Sequence, residues 1–186
     1  MVDFQQPKFP KMRFTTVTIL LVILSSSSWA NDSYLRRFVG NWAGTYQIKD
    51  LTGKELGTHE MEQVNYWIDG QLWGETAVQL PDGSIQKEFS NSYFDNNVAH
   101  AIVEGALSKR EYWGWYFYQQ IWWMSANSEN SPHHQFHTET LVPSRDGFEL
   151  VIDGYQWNKT VENPGFVRVQ ASLHRVKGED LKLFEF

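Results

Sequence analysis

The sequence has no cysteine, and positive charge is scarce in it. Without cysteine, the chain cannot form disulfides, thiolate metal sites, a cysteine nucleophile or a lipid anchor on a cysteine. The 16 Lys and Arg stand against 22 Asp and Glu, which gives a formal net charge of -6. A protein that binds nucleic acid by electrostatics normally carries a basic patch, so we expect no nucleic-acid partner.

Apolar residues, by contrast, are abundant. Hydrophobic residues make up 41% of the chain, charged residues make up only 20%, and nine residues are Trp. That balance is typical of a folded protein and not of an intrinsically disordered one. A length of 186 residues suits a single domain with a core of its own.

Residues 1–30 have the pattern of a cleavable secretory signal peptide. Lys11 and Arg13 supply a positive start, an apolar stretch of eleven residues follows, and Ser-Trp-Ala stands before the expected cleavage point. The alternative, a membrane anchor, needs about 20 apolar residues and is therefore disfavoured. We expect cleavage near Ala30, no transmembrane anchor, and a periplasmic or secreted mature protein. Met12 is an alternative start of the chain.

The rest of the chain alternates between polar and apolar residues in short runs, which turn signals separate. The only predicted helix is one short turn at residues 32–38. The pattern predicts strands near residues 42–48, 56–68, 72–80, 85–94, 98–104, 112–124, 135–141, 148–152 and 166–176. Consecutive strands with short hairpins favour an all-β, antiparallel up-and-down barrel of about eight to ten strands over a sandwich, because closure removes the sheet edges. We assign residues 31–180 to this domain and 181–186 to a C-terminal tail.

A short motif at the start of the first strand resembles a known signature. Gly40-Asn41-Trp42, with Gly44 following, is similar to the Gly-x-Trp motif that opens the first strand of lipocalins and related calycin barrels. The resemblance covers residues 35–176 and extends to exported bacterial barrels of lipocalin-like type. It implies that Trp42 closes one end of the barrel and that Arg175, from the last strand, packs across it. It names no ligand, because function depends on the site and not on the fold.

An aromatic run at residues 112–118 suggests what a barrel of this kind holds. Aromatic rings that point inward would wall a cavity for a small, largely apolar molecule, whereas the alternative is a packed core strand. If Glu60 and Glu62 face solvent, the odd-numbered residues around them face inward. The residues that we expect to line the interior and bind the ligand are His59, Met61, Trp67, Tyr116, Tyr118 and Phe136.

The histidines do not predict a metal site. His133 and His137 share a face on a strand but lie about 13 Å apart, which is too far to hold one metal ion. A turn at Pro132 would bring two imidazoles together, and solvated loop histidines are the alternative. Some calycin barrels bind haem, and the candidate axial ligands here are His59, His100, His137 and His174. Spacing selects none of them, so we predict no cofactor.

The first functional hypothesis is therefore a non-enzymatic, exported binder of a small molecule. The chain has no nucleophile elbow, His-Glu-x-x-His motif or phosphate loop. The alternative is a small barrel enzyme, namely a cyclase, isomerase or hydrolase. It would use a buried histidine or a carboxylate such as Glu75 or Glu104 as a general base.

Residues 112–123 are aromatic on both faces when they are taken as one strand. One face would then lie outside the barrel and exceed the apolar area that a soluble monomer usually exposes. Two arrangements would cover this face: a homodimer that forms through this strand, or the apolar tail 181–186 lying across it. We favour the tail, because it is otherwise an unexplained hydrophobic end.

Overall fold

The chain folds into a closed antiparallel β-barrel. The computed structural model describes residues 32–106, 109–125, 134–145, 147–158 and 165–184. In these segments the ten strands are β1 (Gly40–Lys49), β2 (Glu55–Ile68), β3 (Gln71–Gln79), β4 (Ile85–Asp95), β5 (Val98–Gly105), β6 (Lys109–Phe117), β7 (Gln120–Ser125), β8 (Gln135–Ser144), β9 (Gly147–Asn158) and β10 (Gly165–Val176). The predicted signal peptide at residues 1–30 lies outside the described residues.

The strands follow one another around the barrel in chain order. Each pairs antiparallel with the next, and β1 pairs with β10, so that Trp42 stands opposite Arg175. Among the ten described strands, the closed circuit leaves no sheet edge for another chain to extend. The predicted fold class, an all-β up-and-down barrel with a short helical turn before it, is confirmed.

Alternation along the strands decides which side chains enter the barrel. Tyr46 and Ile48 of β1 point inward, as do the odd-numbered residues from His59 to Asn65 of β2 and both Val167 and Val169 of β10. Successive side chains of a strand point to opposite faces, so the apolar rows in the sequence identify these inner faces. The inner face predicted for β2, with its odd-numbered residues pointing inward, agrees with the structure.

The helical turn at residues 32–38 seals one end of the barrel. It consists of one α-helical turn and the 3-10 turn Arg36–Phe38. Tyr34, Leu35 and Phe38 are buried there. The Phe38 carbonyl accepts hydrogen bonds from the Trp42 indole at 2.8 Å and from the Asn65 amide at 3.2 Å. We call residues 32–38 the plug.

Trp42 and Arg175 meet beneath this plug. The Arg175 guanidinium lies 4.7 Å from the centroid of the Trp42 ring, within the range of a cation–π interaction. Its Nη2 also donates a hydrogen bond of 2.7 Å to the Arg37 carbonyl. The last strand, the first strand and the plug are thereby joined at one point.

The segment 112–123, which the sequence suggested as one strand, is a hairpin of β6 and β7. Tyr118 and Gln119 form its two-residue turn, with φ angles of 47° and 65°. The turn changes which residues point inward, so Ile121 and Trp123 are buried while Trp122 is exposed. The expected position of Tyr118 inside the barrel is wrong, because its side chain is 83% exposed at the turn. Two-residue hairpin turns of this kind usually contain Asn-Gly or Asp-Gly. The residues Tyr118 and Gln119 therefore do not predict a turn from the sequence.

The tail does not cover the β6–β7 hairpin, and that expectation is also wrong. Its residues Leu181, Leu183 and Phe184 are buried against Ala77 and Val64, on the outside of β3 and β2. The reason is a buried carboxylate: Glu62 accepts hydrogen bonds of 2.8 Å from the backbone N–H groups of Lys182 and Leu183. The outward aromatic residues Trp113, Trp115, Phe117 and Trp122 stay exposed.

Candidate ligand-binding cavity

A cavity of about 450 Å³ occupies the barrel interior. Phe38 of the plug lies at one end of it, and most of its lining comes from the halves of the strands that are remote from the plug. At the far end, Gln86 lines the cavity and is exposed to solvent. The plug therefore closes one end of the cavity, and the side chains at the other end reach solvent.

One wall of the cavity is apolar. It is built by three adjacent strands, β1, β10 and β9, which contribute Tyr46, Ile48, Val167, Val169 and Ile152. These side chains come from the apolar rows of their strands, so their inward direction follows from alternation alone. This wall offers hydrocarbon and ring surface to a molecule inside the barrel.

The opposite wall carries an ion pair. Nη2 of Arg110 on β6 lies 2.5 Å from Oε2 of Glu88 on β4, and both side chains are largely buried. The strand between them, β5, presents only small or medium side chains inward, among them Ala101 and Val103. The pair can therefore form across β5 without a large side chain between its members.

Burial affects the protonation of the groups that line the cavity. Burial lowers the pKa of Arg110, but the neighbouring Tyr112 and Glu88 outweigh it, so the pKa is raised and the guanidinium stays charged. Burial raises the pKa of Tyr46 to about 12 and also raises that of Tyr112. Both phenols are therefore neutral at physiological pH and can donate a hydrogen bond.

A second polar group lies on β8. His137 faces Trp123 of β7 across the strand pair, and its Nε2 is 3.6 Å from Oε1 of Glu139. The Tyr112 ring packs edge-on against the imidazole, with the ring centroids 5.7 Å apart. The Tyr112 hydroxyl donates a hydrogen bond of 2.8 Å to Oε1 of Gln135. β6, β7 and β8 thus form a continuous wall of hydrogen-bonding and aromatic groups.

Several buried polar atoms of the lining have no protein partner. In the described part of the chain these are Gln63 Oε1, Arg110 Nε, Trp123 Nε1 and His137 Nδ1. All four residues line the cavity. A buried polar atom without a hydrogen bond costs about 1–3 kcal/mol, so such atoms are rare unless ordered water or a bound molecule satisfies them.

Four of the six predicted interior residues lie inside the barrel, two at the cavity and two at the plug. His59 and Met61 line the cavity, and His59 Nδ1 is 3.2 Å from the carbonyl of Gln79. Trp67 and Tyr116 pack against the core at the plug, where Arg36 stacks on the Trp67 ring at 4.3 Å. That these residues bind a ligand stays a prediction.

Phe136 is not inside the barrel, so its expected interior position is wrong. Its ring lies on the outer face and packs against Trp122, with the centroids 5.6 Å apart. The reason is the register of β8, because His137 points inward and its neighbour must therefore point outward.

The histidines are spread over both faces. His59 and His137 face the cavity, whereas His174 is exposed and His100 stacks on Tyr93 outside it, with the centroids 5.3 Å apart. His133 and Pro132 lie outside the described residues. Within the described segments, no three His, Asp or Glu side chains are placed to hold a metal ion. Haem was only an alternative in the sequence analysis, and the expectation that no cofactor binds stays a prediction.

Sequence reasoning missed the charged residues of the cavity. The carboxylates suggested as bases, Glu75 and Glu104, do not line it, and Glu104 pairs instead with Lys109 at 2.9 Å. Among the described residues, the inward carboxylates are Glu88 and Glu139. Arg110 falls between two of the predicted strands, 98–104 and 112–124, but β6 begins at Lys109. Arg110 precedes the inward Tyr112 by two residues, and residues two apart on a strand point to the same face. This spacing is the signal that would have identified Arg110 as a cavity residue.

Comparison with known proteins gives no family for this chain. No protein-family model matches it, and no curated protein matches its sequence. The closed antiparallel barrel of ten strands is consistent with a calycin or lipocalin-like fold. No helix among the described residues is long and apolar enough to cross a membrane. Function must therefore be argued from the cavity itself.

Proposed function

We propose that the protein is an exported, lipocalin-like barrel that binds a small amphipathic molecule in its interior. One observation carries this proposal: four buried polar atoms without a protein partner line the same cavity. A barrel interior that only stabilised the fold would gain by filling this volume with apolar side chains, because empty space and unpaired polar atoms both cost stability.

The size and the walls of the cavity describe its occupant. A volume of about 450 Å³ falls in the range of roughly 300–1,000 Å³ that is typical of small-molecule sites. The apolar wall of β1, β9 and β10 suits a hydrocarbon or ring system. The wall of β6, β7 and β8 suits a polar group. The ligand is thus less apolar than the aromatic content of the sequence suggested.

Binding inside the barrel can be tested by filling the cavity. Val103 lines it, whereas Ile102 is the preceding residue of β5 and does not. Titration with the neutral fluorescent probe N-phenyl-1-naphthylamine should show saturable binding to the wild type. Val103→Trp should weaken that binding about tenfold or more, because the indole takes the ligand's place. Ile102→Trp is the matched control and should leave the affinity unchanged.

The outcomes of this titration are distinct. Equal affinity in the wild type and in Val103→Trp would place the probe outside the barrel and contradict the proposal. So would the absence of saturable binding. Native mass spectrometry of the purified wild type, with Val103→Trp beside it, should show a co-purifying small molecule only in the wild type.

The export part of the proposal rests on the sequence of residues 1–30. When the full chain is expressed in a bacterium with two membranes, N-terminal sequencing of the periplasmic protein should begin at Asn31, directly after the predicted cleavage point. Replacing Leu20 and Leu21 by Arg should prevent export and cleavage. An uncleaved cytoplasmic wild type would contradict this part and leave ligand binding untouched.

A second candidate function is catalysis by the His137–Glu139 pair. A carboxylate 3.6 Å from Nε2 can orient an imidazole as a general base, and the pair lies beside the cavity. Esters of p-nitrophenol are simple probes of hydrolysis. Loss of turnover in both His137→Gln and Glu139→Gln, with turnover kept in the exposed His134→Gln, would support a hydrolase. No acceleration by the wild type over buffer would leave binding as the better proposal.

A further inference from the structure

The charges that line the cavity do not favour an anionic ligand. Arg110 is the one arginine or lysine among the described lining residues, and Glu88 already neutralises it at 2.5 Å. Glu139 is a second carboxylate on the same lining, and its neighbour is an imidazole at 3.6 Å. An anionic group inside the barrel would therefore meet more carboxylate than free cation, within a chain of formal net charge -6. Burying a charge without a compensating partner is strongly unfavourable.

The unpartnered atoms specify the hydrogen bonds that a ligand must make. Arg110 Nε and Trp123 Nε1 can only donate, and Gln63 Oε1 can only accept. For His137, the carboxylate of Glu139 beside Nε2 favours the tautomer with its proton on Nε2, so Nδ1 accepts. The cavity thus presents two donors and two acceptors.

We propose that the ligand's polar group is uncharged and carries both a hydrogen-bond donor and an acceptor, as an amide or a cyclic amide does. This inference rests on the proposed function. A carboxylate supplies acceptors only and leaves His137 Nδ1 and Gln63 Oε1 unpaired. An ammonium group supplies donors only and leaves Arg110 Nε and Trp123 Nε1 unpaired. An amide can pair with both kinds of atom and adds no net charge.

Three probes with the same hydrocarbon chain isolate the effect of the polar group. Isothermal titration of the wild type at neutral pH with octanamide, octanoate and octylamine should rank octanamide as the tightest by about tenfold, the effect of a mismatched buried polar group. Octanoate or octylamine binding as tightly as octanamide would overturn the inference and leave the proposed cavity function intact. If none of the three binds, the inference also fails, and the N-phenyl-1-naphthylamine titration then decides whether the cavity binds at all.

A charge-removing variant tests the electrostatic part separately. Glu139→Gln keeps the size of the side chain but removes its charge. It should strengthen octanoate binding and so reduce the difference in affinity between octanamide and octanoate several-fold. Glu104→Gln is the matched control, because it removes the same charge from a side chain that is 58% exposed outside the cavity. Circular dichroism confirms that both variants fold. An equal change of the ratio in both variants, or no change in Glu139→Gln, would contradict the inference.

Discussion

Replacing Trp42 tests how much the end of the barrel that the plug seals contributes to the stability of the protein. Trp42 is fully buried, its indole N–H donates to the Phe38 carbonyl at 2.8 Å, and Arg175 lies 4.7 Å from its ring. Truncating a buried Trp to Ala costs about 3–5 kcal/mol through lost burial and the cavity that remains. The Phe38 carbonyl keeps its hydrogen bond from Asn65, so it adds little further cost.

Trp42→Phe separates the contribution of the buried ring from that of the hydrogen bond and the cation–π contact. The variant keeps most of the buried ring surface but loses the hydrogen bond to Phe38 and part of the attraction to Arg175. We expect it to cost about 1–2 kcal/mol, because a net hydrogen bond and a cation–π contact each contribute about 1 kcal/mol.

Urea unfolding followed by circular dichroism measures these differences. Trp113→Ala is the control, because Trp113 is 54% exposed on the outer face and its removal should change the free energy of unfolding by less than about 1 kcal/mol. If Trp42→Ala destabilised the protein no more than Trp113→Ala does, the closure of the barrel at this end would not depend on Trp42. A loss in Trp42→Phe equal to that in Trp42→Ala would instead show that the polar contacts dominate.

Three further predictions concern other parts of the molecule. Glu62→Ala removes the acceptor of two tail hydrogen bonds, each worth about 1.5–3 kcal/mol, so limited proteolysis should remove the tail from this variant and not from Glu60→Ala. The pKa of Tyr46 is raised from 10.0 to about 12, so the unfolded chain loses this proton first and stability should fall between pH 10 and 12. Urea unfolding across that range should show a smaller fall in Tyr46→Phe. The outward aromatic residues of β6 and β7 predict a homodimer, and Trp115→Glu should then shift sedimentation toward monomer, whereas Thr45→Glu on the outer face of β1 should not.

The barrel could be predicted because its signals are local. The alternation of polar and apolar residues predicted β1 and β10 close to their observed positions, and glycines in the turns between strands mark where hairpins lie. The turn at Tyr118 and Gln119 was missed, since neither residue favours a positive φ. One missed turn was enough to misplace Tyr118 and to conceal that Trp123 faces the interior.

The charged wall of the cavity could not be predicted in the same way. The pairing of Glu88 with Arg110 depends on the register of three strands at once, and no spacing along the chain encodes it. The position of the tail depends likewise on Glu62, an outward carboxylate that is buried only because the tail lies over it. Both are tertiary effects that a local pattern does not contain.

The pairing of β1 with β10 has a consequence for how the chain folds. Asn41 is matched to Val176, so the two strands that complete the barrel are made at opposite ends of the domain. Contacts between residues so far apart in sequence form late and slow the rate of folding. We therefore expect the indole of Trp42 to stay accessible to solvent until the last strand arrives. We expect the closure of β10 on β1 to be the final step of assembly, after the hairpins from β2 to β9 have formed.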